Sequence, residues 1–321
     1  MDKKSLRIVY MGTPEFAVEP LRCLVEGGYN VVGVVTGPDK PIGRHQETLQ
    51  PTAVKVYAES VGLPILTPEK LRDEQFHTDL RSWNADLQII VAFRMLPESI
   101  WSMPRLGTFN LHASLLPQYR GAAPINWAII NGDTETGVTT FFLQHDIDTG
   151  NIIEQAHLPI ADTDNVGIVY DNLMHLGGKV VCSTVNRILA GNLDAIPQAQ
   201  IATNEPLRPA PKIFKETCRI DWSKGVKRCY DFIRGLSPYP AAWTELFIDD
   251  KAQVLKIYDT IKEMTTPSSP IGTVIVDGKS LKIALSDGYL HLTEIQLAGK
   301  KRMSTKQFLN GFKAGKSMKV C

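Results

Sequence analysis

Three polar residues alternate through a short apolar stretch: Asn110, His112 and Ser114 in Phe109-Asn110-Leu111-His112-Ala113-Ser114, followed by Leu115-Leu116-Pro117. A period of two puts all three side chains on one face of a strand and Leu111 on the other. Polar groups on the inner face of a buried strand are costly unless partnered, so the pattern fits a pocket. A strand end whose Asn and His cap local backbone fits the spacing equally well. A second cluster, Gln144-His145-Asp146-Ile147-Asp148-Thr149-Gly150, follows the apolar run 138–143. A carboxylate just past a strand's carboxyl end can act as a base or orient an imidazole. An Asp-Thr-Gly turn is the plainer alternative. His112, His145, Asp146 and Asp148 could be imagined around a metal ion. No helical HExxH and no paired cysteines accompany them, so no metal is expected.

Strands and helices that alternate would position these groups. Residues 6–11 form a compact apolar run ending at Gly12, and Thr13-Pro14-Glu15 supplies a hydroxyl cap, a proline and an acid for a helix start. Phe16, Val18, Leu21, Leu24 and Val25 give that helix an apolar face, and Gly27-Gly28 ends it. Strands are expected at 31–36, 87–93, 108–111 and 137–143, and helices at 54–61 and 123–131. Such alternation predicts an α/β fold, a Rossmann-like, mostly parallel sheet with helices on both faces. Ligands of these sheets sit at the carboxyl ends of the strands, where both clusters fall. The dinucleotide fingerprint G-x-G-x-x-G is not satisfied, since only Gly12 is present. A tight strand-to-helix turn explains that glycine.

Pro197, Pro206, Pro209 and Pro211 punctuate a polar, aperiodic stretch, 195–211, which reads as an extended linker. It divides the chain into domains 1–194 and 212–321. Beyond it, Asp221-Trp222-Ser223 opens a helix with Val226, Cys229, Ile233 and Leu236 on one face. Five short alternating segments near 242–248, 254–258, 272–276, 281–285 and 289–297 predict a small antiparallel barrel of OB-like type.

The whole chain has 321 residues and a net charge of +1, but residues 1–209 hold 16 Lys+Arg against 23 Asp+Glu, and residues 210–321 hold 19 against 11. A basic second half predicts a polyanionic partner there. Its densest basic run is Lys300, Lys301, Arg302, Lys306, Lys313, Lys316 and Lys319. Hydrophobic residues at 43% and charged residues at 21% fit an ordinary folded protein and exclude collagen-like or disordered classes. The longest apolar runs are about five residues, whereas a membrane span needs roughly 20. No membrane partner is therefore expected. Five unpaired cysteines and no signal-peptide core at the N-terminus predict reduced thiols and a cytoplasmic location.

Longer strings carry a resemblance. Asn110-x-His112-x-Ser114-Leu115-Leu116-Pro117, Tyr119-Arg120-Gly121-Ala122-Ala123-Pro124-Ile125 and Asp148-Thr149-Gly150 resemble the formyltransferases that use 10-formyltetrahydrofolate. Met11-Gly12-Thr13-Pro14-Glu15-Phe16-Ala17, Pro38-Asp39-Lys40-Pro41-Ile42-Gly43-Arg44, Arg219-Ile220-Asp221-Trp222 and Ala298-Gly299-Lys300-Lys301 are similar to the branch of that family acting on methionyl-tRNA. The resemblance implies formyl transfer to the α-amino group of initiator methionyl-tRNA, with 10-formyltetrahydrofolate as co-substrate and no covalent enzyme intermediate. It implies Asn110 as oxyanion donor, His112 as its companion, and Asp148 as base and as the group that orients or protonates His112. It further implies Ser114, Leu115, Leu116 and Pro117 beside the folate, and Arg44, Lys300, Lys301 and Arg302 toward the tRNA. A monomer is expected.

Three departures from the family pattern stand out: Ala92-Phe93-Arg94-Met95-Leu96-Pro97, the extra acid Asp146, and His45-Gln46-Glu47 where relatives are often basic. Other classes compete. A formyltransferase acting on an amino-sugar nucleotide or another small amine would share Asn110, His112 and Asp148. A non-catalytic RNA-binding protein would have no need of them, and a nicotinamide dehydrogenase would need the missing glycines.

Overall fold

The computed structural model describes residues 2–42, 48–192, 194–203, 205–249, 251–278, 280–310 and 318–321. They form two compact units, neither continuous in sequence: Met1–Gly121, Thr136–Leu158 and Tyr170–Pro209, then Ala122–Glu135, Pro159–Val169 and Ala210–Cys321. This differs from a division at 195–211. Residues 195–209 group with the first unit, and the helix expected near 123–131 groups with the second.

In chain order the first unit carries β1 (Ile8–Gly12), α1 (Val18–Glu26), β2 (Val31–Val35), the short pair β3 (Lys40–Ile42) and β4 (Thr48–Gln50), and α2 (Ala53–Ser60). β5 (Ile65–Leu66), α3 (Glu74–Ser82), β6 (Leu87–Val91), α4 (Glu98–Trp101) and β7 (Thr108–His112) follow. The helix α5 (Pro124–Ile130) falls in the second unit. Most of β8 (Glu135–Phe142), β9 (Ile152–Pro159) and α6 (Val166–Leu189) returns to the first. Its sheet runs β5-β2-β1-β6-β7-β8-β9. β2, β1, β6 and β7 pair in parallel and β8 is antiparallel to β7, so the sheet is mostly parallel, as the alternation predicts. Every residue of β1 and β6 is buried, the mark of strands covered on both faces. Val9, Met11, Val35 and Ile90 pack with Phe76 and Leu80 of α3 and with Ile100 of α4.

The first helix begins differently from the expectation. Thr13 gives no cap; a 3-10 turn, Glu15–Ala17, precedes α1, and the Phe16 N–H donates to the Tyr170 hydroxyl at 2.8 Å. Gly12 is required because a Cβ there would stand 2.6 Å from Ala17 Cβ. The supposed linker is not free-running either. Ile196 exchanges two 2.8 Å backbone hydrogen bonds with Ile152, adding a bridge to the start of β9, and Gln198–Gln200 makes a 3-10 turn.

The second unit holds α5, then α7 (Val226–Leu236), β10 (Ala242–Ile248), β11 (Lys251–Met264), β12 (Val274–Asp277), β13 (Ser280–Ala284), β14 (Gly288–Leu297), β15 (Met303–Ser304), α8 (Thr305–Asn310) and β16 (Met318–Val320). Its strands run β12-β13-β14-β11-β10-β16, and a bridge between Thr273 and Lys319 brings the two ends together as a nearly closed antiparallel barrel. Closure removes the exposed strand edges that invite aggregation. The closing strand β16 has no counterpart among the five segments read from the sequence. Leu246, Leu255, Ile257, Ile283, Leu290 and Ile295 fill the interior, with Val226, Cys229, Ile233 and Leu236 of α7 against them. Asp221 caps a separate 3-10 turn, Trp222–Lys224, and α7 starts only after Gly225, whose φ of 79° needs glycine.

Candidate active site

β1, β6 and β7 end at one edge of the sheet, and Asn110 and His112 lie at the end of β7, opposite Phe141 and Thr139 of β8. His112 is buried, and Asn110 is half-buried on the same face two residues earlier. Among the described residues the Asn110 carboxamide makes no hydrogen bond to the protein. A half-buried amide without a protein partner has two N–H donors to offer.

His112 is held at one nitrogen and faces a carboxylate with the other. Its Nε2 lies 2.8 Å from the Tyr119 carbonyl oxygen, which can only accept, so Nε2 carries the proton and donates it. Its Nδ1 lies 3.9 Å from Oδ2 of Asp148. That separation is too long for a direct hydrogen bond, yet a single group about 2.8 Å from each atom could bond to both. The orienting bond to His112 thus comes from the Tyr119 carbonyl, where the family resemblance assigns that duty to Asp148.

Asp148 reaches this position through an unusual backbone. Its φ is 55°, the left-handed region that Asp tolerates better than most side chains, and its Oδ2 accepts the Gly121 N–H at 3.0 Å. Gly121 has φ 125°, a conformation open only to glycine, which aims that N–H at the carboxylate. The glycine of Asp-Thr-Gly has a different reason: a Cβ on Gly150 would fall 1.6 Å from the Phe142 carbonyl oxygen. The loop separates its two acids. The Asp148 side chain is 13% exposed, whereas Asp146 and Ile147 face solvent, and His145 packs edge-on to Trp101 at 5.6 Å. Among the described residues no group of three or more His, Cys, Asp or Glu converges as metal ligands.

Residues 114–117 are stitched down. The Ser114 hydroxyl donates to the Gln118 carbonyl at 2.7 Å, and Ser114, Leu116 and Pro117 are buried, with Leu115 half-buried. The Thr139 hydroxyl donates to Ser114 O at 2.6 Å and accepts the Leu116 N–H at 3.1 Å; Gln155 adds a 2.9 Å bond to Leu116 O. The Ser114 hydroxyl and the backbone groups of Ser114 and Leu116 are thus engaged in holding the path of this stretch. Burial pushes the thiols of Cys182 and Cys229 up, to about 11 and about 12, which makes them poor nucleophiles.

Of the residues expected to face a polyanion, Arg44 lies outside the described residues, as do Lys313 and Lys316. Lys300 and Lys301 are exposed. Arg302 is engaged within the barrel, ion-paired to Glu294 and 4.2 Å from the Tyr258 ring. Tyr119 O, Gly121 N and Gln198 are the site groups that spacing did not single out. Backbone groups leave no trace in side-chain patterns. Gln198 sits in a stretch that reads as linker, and only its burial marks it.

The sequence pattern of the formyl transferase family matches residues 6–185, and that of the formyl transferase C-terminal domain matches residues 212–313. A methionyl-tRNA formyltransferase of Parabacteroides distasonis is 66% identical over 316 residues, covering 98% of both chains. The crystal structure of HypX from Aquifex aeolicus in complex with tetrahydrofolic acid superposes with a TM-score of 0.64 at 16% identity, covering 97% of this chain and 48% of that one. An N-formyltransferase from Helicobacter canadensis, in complex with folinic acid and dTDP-3-aminofucose, superposes at 0.63 with 18% identity, covering 93% and 100%. At those identities the two structures speak to the fold alone. With both halves matched and a full-length relative at this identity, the chain belongs to the formyl transferase family.

Proposed function

We propose that this protein transfers the formyl group of 10-formyltetrahydrofolate to the α-amino group of methionyl-tRNA. The 66% identity over 98% of both chains to the P. distasonis methionyl-tRNA formyltransferase carries this reading. The side chains at the sheet edge supply what the reaction needs. As the amine attacks, the formyl oxygen gains negative charge, and the unpartnered Asn110 carboxamide donates a hydrogen bond to it. A fixed donor of this kind contributes about 3 to 4 kcal/mol to the transition state. His112, anchored through Nε2, presents Nδ1 toward the same space, and a proton there adds positive charge beside the oxyanion. Asp148 accepts the proton that the amine loses, directly or through water, and as the formyl C–N10 bond breaks the departing folate nitrogen takes up a proton in turn, leaving tetrahydrofolate. A free α-amino group has a pKa of about 7.7 to 8.0, so a carboxylate suffices as base near neutrality.

Residues 114–117 and the turn after β6, where Ala92 has φ 47°, would form the wall that holds the formyl-folate. The initiator tRNA is the macromolecular partner, gripped by the cationic second unit through Lys300 and Lys301 and by Arg44 near the acceptor end. All three reacting groups come from one chain, consistent with a monomer acting where translation occurs, in the cytoplasm. A formylation assay with charged initiator tRNA and, separately, an amino-sugar nucleotide tests the acceptor. The tRNA is expected to be preferred by at least about 10³ in kcat/KM. A preference for the sugar would overturn the assignment.

A further inference from the structure

We propose that Gln198 is a positioning residue that sets the Asp148 carboxylate against the His112 ring. This rests on the reading of those two side chains as the reaction centre. Gln198 is only 4% exposed, and its whole hydrogen-bonding capacity is spent on two loops. Its amide nitrogen donates to the carbonyl oxygens of Asp148 and Gly150, both at 2.9 Å. Its oxygen accepts from Nε and Nη2 of Arg120, at 3.0 and 2.6 Å. Two N–H donors and two lone pairs are all a carboxamide has, so its orientation is fixed by four bonds.

The two loops are the ones that set the geometry of the pair. Arg120 stands between Tyr119, whose carbonyl anchors His112, and Gly121, whose N–H holds Asp148 Oδ2. Gln198 also grips the loop of Asp148 at Asp148 itself, whose backbone is in the left-handed region, and two residues on. One buried amide therefore ties the carboxylate's loop to the loop that orients the imidazole. Residue 198 is kept in reach by the Ile196–Ile152 bridge. Gln198 acts on the reacting atoms only through these neighbours. A shift of about 1 Å in such a loop is enough to cost a reaction about 10²-fold.

The test uses full-length protein with Gln198→Leu, Gln198→Glu and Asp148→Asn, measured for kcat, both KM values and thermal midpoint. Gln198→Leu is expected to lose at least about tenfold in kcat with each KM within about twofold. Gln198→Glu keeps acceptors for Arg120 but turns a carboxylate on two carbonyl oxygens, and is expected to lose at least as much. Should Gln198→Leu fail to fold, Gln198→Asn, one methylene short of its partners, carries the same expectation. A purely structural glutamine would lower the midpoint and leave the kcat of the folded fraction intact. That outcome, with Asp148→Asn inactive, overturns the role of Gln198 alone. Full activity in Asp148→Asn overturns the reaction centre and the positioning role with it.

Discussion

The end of the sheet and the second unit handle polar groups in opposite ways. At the edge, His112 and Asp148 are held by backbone groups, Tyr119 O and Gly121 N–H, and the Asn110 carboxamide makes no hydrogen bond to the described residues. On the second unit, charged side chains hold each other. Lys227 and Arg234 bracket Asp231 at 2.6 and 2.8 Å, Lys262 pairs with Asp162, and Lys282 and His291 share Glu263 at 2.9 and 2.6 Å. Backbone partners orient a side chain while leaving it capacity to bond something else. Ion pairs fix side chains against one another and leave only the excess charge to act at a distance. The first arrangement fits a site; the second fits a field, with Lys300, Lys301 and Lys306 as exposed contributors that make no ion pair among the described residues.

The contrast can be broken by experiment. The largest effect is expected at the edge: Asp148→Asn should lower kcat by about 10² or more, read in the formylation assay. Loss of proton acceptance with the fold intact would leave the thermal midpoint near that of the wild type. Next comes the field. Raising monovalent salt from 50 to 200 mM should weaken tRNA binding by about 10², as expected for roughly four neutralised phosphates, with folate affinity nearly unchanged. Salt-insensitive binding would count against the barrel as an electrostatic partner. A smaller change, a few-fold rise in the KM for tRNA and none in that for formyl-folate, is expected for Lys300→Ala with Lys301→Ala.

The smallest effect concerns the pairs themselves. The hydrogen bond from Lys262 holds the Asp162 carboxyl below the usual carboxylate range, and hydrogen bonds from Lys282 and His291 do the same for Glu263. A carboxyl lowered in the folded state contributes stability above its unfolded value, about 4. That contribution fades as pH falls through the lower folded value. Asp162 is more than half exposed, so screening keeps its share small. Asp162→Asn should lower the midpoint by about 2 °C or less at pH 7. The gap between variant and wild type should close below about pH 4.

Much of this arrangement was legible in residue order. Period-two alternation placed Asn110 and His112 on one face, and the apolar runs located β1, β6 and β8. The turn glycines fell where backbone approach demands them: Gly12 against Ala17 and Gly150 against Phe142 O. What could not be read was carried by contacts distant in sequence. The 3-10 start at Glu15 depends on the bond from the Phe16 N–H to the Tyr170 hydroxyl, 154 residues away. The strand β16 is three residues long and exists because its neighbours β10 and Thr273 need a partner. The prolines near 197–211 leave no α-helix there, only the 3-10 turn Gln198–Gln200, but extended chain is also what an added β-bridge requires, and Ile196 makes one. Residue order leaves Asp146 and Asp148 as two acids in one loop; Asp148 sits at the loop's left-handed turn and is half-buried, whereas Asp146 faces solvent.

In the proposed reaction the Asn110 amide at the end of β7, which has no hydrogen-bond partner among the described residues, stabilises the negative charge that develops on the oxygen of the formyl group being transferred. Single-turnover formylation by Asn110→Ala, with formyl-folate and methionyl-tRNA both saturating, addresses it directly. The chemical step should slow by about 10² to 10³ while both substrates bind as before. A rate within about threefold of the wild type would contradict the account.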